Sequence, residues 1–513
     1  MSKLASWVLF VSFFGILMLI IFAIPRGFDF SDEGFYLLLS DPFQSNKAGI
    51  INYDLFFKLL FKLTGLEFGI IGIRVFRLLS YLLGAFFLSK AWRNIKDEET
   101  ISTIVFLISA LGLFAGYGFL PPSLSYNSLS VVAVCIWFLG ISKRNIRNQD
   151  LFLIGVSFSI LFYSKISALV GLLPLTWFLL YKAKISWIKI WIIMVPGLFL
   201  EFLFLLTLNE NGVSRILEGL SRNAFREDYG IIQLIRYSAV GPLWSLIVFT
   251  PIFILAQILK SGIVQQSVLY VISLSLVLWI SFITKMADSW VHVFYHSALA
   301  VLAILLGNGG FKNIKSRERM IFCVLLILPY ALHFGSNVYW FRLGIHYIVF
   351  PILAICLLIG SDFKLSNSRK FLIPLYSMSF LVCLYGLWIS PFEGVPNWKA
   401  DKSWVFNDGK SIQLSAEYIE FLKEINSEVN GYESGEIVSL YMNPGILYLL
   451  DRQSPEIPGY WSESQASNFL KEEKLGLILY NGLVEFPFAS EAWKVKRVLT
   501  QPNGEKLEIL VKK

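Results

Sequence analysis

From residue 5 to residue 390 the chain alternates long apolar runs with short polar loops; beyond that the pattern shortens and mixes. A helix that crosses the hydrocarbon core of a bilayer needs about 20 mostly apolar residues. Runs of that kind cover 5–24, 70–89, 101–119, 126–141, 151–164, 166–181, 188–207, 239–259, 267–284, 291–307, 320–335, 345–360 and 371–390, which predicts thirteen spans. Hydropathy alone leaves 151–181 open between one bent segment and two short helices. In the tail, Tyr418, Ile419, Leu422 and Ile425 form a helical stripe over 415–428. Segments 436–442 and 475–480 read as strands, Asn443-Pro444-Gly445 opens a short helix, and 495–499 with 506–511 form a hairpin around Pro502-Asn503-Gly504. The expected architecture is an α-helical polytopic membrane domain over 1–390 followed by a small α/β domain over 391–513.

Composition narrows the class. The chain is 56% apolar, 16% aromatic and only 16% charged, with a mean hydropathy of +0.64. A water-soluble chain of this size splits into domains with polar surfaces and cannot hide such an excess. Cys135, Cys323, Cys356 and Cys383 all lie in apolar runs, so they read as small core hydrophobes and not as a disulfide framework. The first run is too long, and lacks the small-residue cleavage site, for a removed signal peptide.

The net charge of +8 is a matter of location. Lys90, Arg93 and Lys96 share a loop; so do Lys143, Arg144 and Arg147, then Lys182, Lys184 and Lys189. Lys260 follows, then Lys312, Lys315, Arg317 and Arg319, then Lys364, Arg369 and Lys370. Short basic loops stay cytoplasmic. The alternation therefore predicts a cytoplasmic N-terminus, a tail on the opposite side, and two helices within 151–181, since one would break the phase. No nucleic-acid partner is implied.

The outer face then receives loop 25–69, loop 208–238, several short turns and the tail. In the first loop, Asp32 and Glu33 follow Phe28, Asp29 and Phe30, with Phe35, Tyr36 and Leu37 just after. Adjacent carboxylates beside a membrane are costly unless hydrated, paired or used. The structural alternative is a helix start with Ser31 as N-cap and acids in the first turn. Segment 53–63 has the spacing of a helix lying at the interface. Pro121-Pro122-Ser123-Leu124-Ser125-Tyr126-Asn127-Ser128-Leu129 is a turn entering the next span, and Lys165 stands alone between two apolar runs. Arg215, Arg222, Arg226 and Arg236 lie in or beside the second long outer loop, and the first three fall on one helical face. His292 and His296 have an i, i+4 spacing that suits zinc, although no acid follows the first histidine.

These features together resemble the GT-C superfamily of polytopic glycosyltransferases, in particular its protein mannosyltransferases and lipid A aminoarabinose transferases. Asp32-Glu33 with Tyr36, the turn Pro122–Leu129, the break at Leu161-Phe162-Tyr163-Ser164-Lys165, and His346-Tyr347-Ile348-Val349-Phe350-Pro351 carry the resemblance. His346 stands where the family has Arg, and Gly34 and Phe35 stand where one branch has a basic residue. The resemblance implies a GT-C fold and a polyprenyl-phosphate-linked sugar donor. It also implies a lipid, glycan or protein acceptor, and inversion at the anomeric carbon. Asp32 would be the general base, with Glu33 orienting the acceptor or holding a metal. Lys165, Arg215, Arg222, Arg226, Arg342 and His346 are candidates for the donor phosphate. Tyr36, Tyr126 and Asn127 would line the cleft. A divalent metal is optional in such enzymes, with Glu33, His292 and His296 as candidate ligands.

Two other classes fit the hydropathy: a flippase or transporter of lipid-linked sugars, and a ligase using polyprenyl-diphosphate-linked glycans. A transporter would show matched broken helices in two halves, and no such halves repeat here. The absence of Gly-rich phosphate-binding patterns argues against nucleotide chemistry. The style of loops and tail points to a bacterial inner membrane.

Overall fold

The computed structural model describes residues 3–223, 230–259, 263–285, 289–360, 368–392, 395–430, 432 and 435–513. The side chains of 220–223, 231, 263, 289, 368 and 369 are also outside that description. The membrane part runs α1 (Lys3–Ala23), α2 (Asp32–Ser40), α3 (Asp54–Thr64), α4 (Gly69–Lys96), α5 (Thr103–Phe114), α6 (Tyr126–Ile141), α7 (Asn148–Ser164), α8 (Ile166–Lys182) and α9 (Trp187–Leu208). It continues through α10 (Gly212–Asn223), α11 (Ile231–Ile258), α12 (Ile263–Ile283), α13 (Ser289–Gly307), α14 (Ser316–His333), α15 (Trp340–Gly344), α16 (Val349–Ile359) and α17 (Ile373–Leu384).

Every apolar run of the sequence is helical, and the break at Lys165 is real. Its φ of −147° and ψ of 81° separate α7 from α8. Among the described helices, seven are long and apolar enough to cross a membrane. An eighth span results when Trp340–Tyr347 and Val349–Ile359, bent by 52°, are joined. This is fewer than the thirteen expected, for a reason of length. The 16 residues of α6 rise only about 24 Å, against a hydrocarbon core of about 30 Å. Outward faces are apolar, as lipid contact requires: Leu198 is 59% exposed, Phe202 62% and Leu206 70%.

The two ends of the bundle differ. At one end the basic loops meet: Lys96 pairs with Glu318 at 3.0 Å, Lys143 with Asp150 at 2.7 Å, and Arg317 with Asp97 and the Ser142 carbonyl. The first loop, α10, the break at Lys165 and the tail gather elsewhere, in mutual contact.

The tail comprises β1 (Lys402–Val405), β2 (Ser411–Leu414), α18 (Ala416–Asn430), β3 (Glu436–Leu440), α19 (Gly445–Leu449), α20 (Glu463–Phe469), β4 (Leu475–Tyr480), β5 (Trp493–Thr500) and β6 (Lys506–Lys512). The main sheet has the order β3-β4-β6-β5, with β3 and β4 parallel and the rest antiparallel. The elements read from the sequence are all present; the β1–β2 hairpin and α20 are additions. That hairpin reaches the exit of α1, where Gln413 donates to the Pro25 carbonyl (2.8 Å) and accepts from the Gly27 amide (2.9 Å).

First loop and tail share one apolar core. Phe28 stacks on Tyr448 at 6.2 Å, Phe30 on Tyr418 at 5.1 Å, and Leu38, Leu422, Leu477 and Ile509 are all buried in the same cluster. Helices α2 and α19 touch backbone to backbone at Gly34 and Gly445, and the Gly445 amide donates to the Phe30 carbonyl at 2.7 Å. A Cβ at Gly34 would overlap the Gly445 backbone, which cannot swing aside as a side chain can. Gly34→Ala should therefore lower the stability of the solubilised full-length protein by about 1–3 kcal/mol. A thermal-denaturation midpoint equal to that of the parent would contradict this packing.

Candidate functional site

The acidic pair splits into two roles because α2 turns its residues to different sides. Glu33 points inward and is fully buried. Arg74 of α4, itself 1% exposed, meets it edge-on, with Nε donating to Oε1 at 2.8 Å and Nη2 to Oε2 at 2.7 Å. Ser123 donates to Oε1 at 2.6 Å, and the Asp29 amide reaches Oε2 at 3.3 Å. The remaining Arg74 hydrogens go to the carbonyls of Ile24, Arg26 and Gly27. All five guanidinium donors are thus used, the condition under which a buried ion pair is tolerated. Asp29, and not Ser31, caps α2: its carboxylate accepts from the Ser31 amide at 2.9 Å and the Glu33 amide at 2.8 Å.

Three residues after Arg74, Arg77 donates to the carbonyls of Tyr117, Pro121 and Pro122 and lies over the Tyr117 ring at 3.8 Å. It fixes the turn that leads into α6, where Ser125 and Ser128 cap each other. Sequence inspection missed both arginines; two guanidinium groups inside one apolar run were the available signal.

Asp32 faces the other way, into a cleft of about 680 Å³ bounded by the membrane part on one side and the tail on the other. Tyr36, Tyr126, Asn127 and Arg342 line it, and so do Asp29 and Lys47. Tyr36 packs edge-on to Tyr126 at 6.0 Å. Burial, reinforced by the Asp32 carboxylate, raises the Tyr36 hydroxyl well above the ordinary phenol range, so it stays an O–H donor. Tyr418, on the tail side of the cleft, is pushed up to about 12 by burial and by Asp29.

Lys165 is buried behind this wall and does not itself line the cleft. Its ammonium donates to the Asn127 Oδ1 at 3.1 Å and the Ser336 hydroxyl at 2.9 Å, and no carboxylate among the described residues lies within 4 Å. Lysine only donates, so the Asn127 oxygen is committed to it and the amide NH₂ is the group left for a ligand.

Several expected phosphate ligands are engaged elsewhere. Arg215 is held by Asp54 at 2.9 Å, by Asn52 and by Glu210, and so ties α10 to α3. The side chain of Arg222 and all of Arg226 lie outside the described residues. His346 is buried against Gly116 in the helix bundle and does not border the cleft.

Metal ligation fares no better. His292 and His296 are fully buried around Phe341, with the His296 Nδ1 at 2.9 Å from the Ser281 hydroxyl. Among the described residues no group of three histidines, cysteines or acids comes together. With its oxygens already saturated, Glu33 does not fit a metal either.

No protein-family model and no curated protein sequence matches this chain. Its chemistry must therefore be read from the cleft itself.

The Glu33–Arg74 pair generates a quantitative expectation. Breaking one partner of a buried pair costs about 3–5 kcal/mol, whereas replacing both by apolar groups of similar volume is often close to neutral. Glu33→Met and Arg74→Met alone should each destabilise strongly, and the double variant should recover most of the loss in a denaturation series. Additive losses in the double variant would show that the two side chains act independently.

Proposed function

We propose that this protein is a GT-C-type membrane glycosyltransferase that moves a sugar from a polyprenyl-phosphate donor to a hydroxyl acceptor. One observation carries the reading: of the adjacent acids, only Asp32 faces the cleft shared by the membrane part and the tail, while Glu33 is locked behind it. A cleft between a lipid-embedded body and a polar domain suits a donor with a polyprenyl tail and a charged, sugar-bearing head.

In this reading the acceptor oxygen attacks C1 of the donor sugar and the C1–O bond to phosphate breaks. The acceptor proton passes to Asp32, and polyprenyl phosphate leaves. A single displacement inverts the anomeric centre. Tyr36, kept protonated, donates a hydrogen bond at the reacting face. Negative charge growing on the phosphate meets Arg342 and Lys47, and the Asn127 amide that Lys165 orients. Glu33 is a positioning residue: it fixes α2 so that Asp32 keeps its place. No metal enters these steps.

The fuller topology belongs to the same proposal. It has thirteen crossings, the short helices being sheltered by neighbours, with the basic-loop end cytoplasmic and the cleft outside, in a bacterial inner membrane. The buried cation at the α7–α8 break and the gathering of the candidate residues at one cleft favour an enzyme over a flippase, which needs matched gates on both sides.

Asp32→Asn keeps size and shape but removes the base. In reconstituted membranes given polyprenyl-phosphate sugars, its transfer rate should fall at least about 100-fold, the scale of a general base, with the thermal midpoint unchanged. Near-parental transfer would refute the assignment. Lys165→Met should raise the KM for donor more than it lowers kcat, because it disorders Asn127; an unaltered KM would count against that role.

A further inference from the structure

The tail side of the cleft carries a feature the catalytic reading does not use. Gln501, at the base of the β5–β6 hairpin, is 5% exposed and lines the cleft. Its Oε1 accepts from the Asn443 Nδ2 at 3.5 Å, while its Nε2 has no hydrogen-bond partner among the described residues. The backbone is fully engaged: the Gln501 amide donates to the Glu505 carbonyl at 2.7 Å, and its carbonyl accepts from Gly504 at 2.8 Å. A buried amide NH₂ left without an acceptor is destabilising unless a ligand supplies one.

Its surroundings define the ligand's chemistry. Trp461 borders the same cleft, with its ring edge-on to Phe35 at 5.0 Å. Gly459 lets that indole pack close against the backbone, since a Cβ there would sit 2.8 Å from ring atoms. Asn443, Asn503 and Glu505 complete the rim. Planar amides and a carboxylate around one indole suit a molecule with many hydroxyls and an apolar ring face, and charge is sparse on this side. Phosphate would find no cation among these residues. Carbohydrate meets both demands: its hydroxyls accept from amides, and its C–H face stacks on tryptophan.

We propose that the tail domain holds a carbohydrate-binding subsite in which the Gln501 Nε2 donates to a sugar oxygen and Trp461 stacks on the ring, so that the acceptor is itself a glycan or glycolipid. The subsite lies on the cleft wall opposite the membrane part, so an acceptor held there presents a hydroxyl towards Asp32. This deepens the transferase reading and rests on it for the acceptor role, but sugar binding can be measured without turnover.

The test uses full-length protein in fluorescent nanodiscs on an array of immobilised bacterial envelope oligosaccharides and eukaryotic glycans. Parental protein should bind at least one glycan class. Gln501→Met removes the amide at similar size without adding a charge; it should weaken binding about tenfold, the worth of one buried hydrogen bond. Trp461→Ala should weaken it by a similar factor. Absence of binding to every glycan, or binding indifferent to both substitutions, overturns the subsite. Bound glycan with no transfer activity under any donor would instead remove the transferase reading and leave the subsite standing.

Discussion

Burial of a single ion pair, Glu33 with Arg74, organises the cleft end of this molecule. Four stretches of chain meet at it: the exit of α1 through the carbonyls of Ile24, Arg26 and Gly27, the start of α2, the face of α4, and the Ser123 turn before α6. An arginine inside an apolar helix is costly unless every donor is matched. The arrangement of those four stretches does so. The constraint fixes the helical phase of α2, and that phase sets its successive residues to opposite duties, Glu33 inward and Asp32 towards the cleft.

The tail is joined to the same frame and not appended to it. Gln413 binds both sides of the α1 exit, Gly445 bonds to Phe30, and aromatic rings from both parts interleave. One wall of the cleft is consequently membrane protein and the other is α/β domain, at a separation set by packing. The proposed chemistry uses this directly: a lipid-borne donor belongs to the first wall, and the acceptor sugar inferred from Gln501 and Trp461 belongs to the second.

Much of the fold was legible in sequence because hydropathy, charge alternation and caps are local signals. All thirteen runs are helices, and the charge phase correctly demanded a break at Lys165. Span number is less legible: seven of the described helices are long enough to cross on their own, because apolarity is visible in sequence while helix length depends on where turns such as 117–125 are anchored. In the site, Asp32, Tyr36, Tyr126, Asn127 and Arg342, all singled out in the sequence, line one cleft. Partner choice was not legible. Nothing near Arg215 in sequence announces Asp54, and nothing near Glu33 announces Arg74 some 40 positions on. His346 sits in a polar-looking turn but is drawn under Gly116, a position decided by helix packing. Gln501 carries no motif; only its burial, with one nitrogen unmatched, makes it notable.

The central claim is that a polyprenyl phosphate seats its head in the cleft beside Asp32. It is tested most directly by photo-crosslinking the full-length protein in nanodiscs with undecaprenyl phosphate bearing a diazirine near the phosphate, followed by peptide mapping. The account predicts label concentrated in 31–36, 119–127 and 337–343, competed by unlabelled polyprenyl phosphate. Label confined to the lipid-facing helices α9 and α12, with none in those three segments, would contradict it.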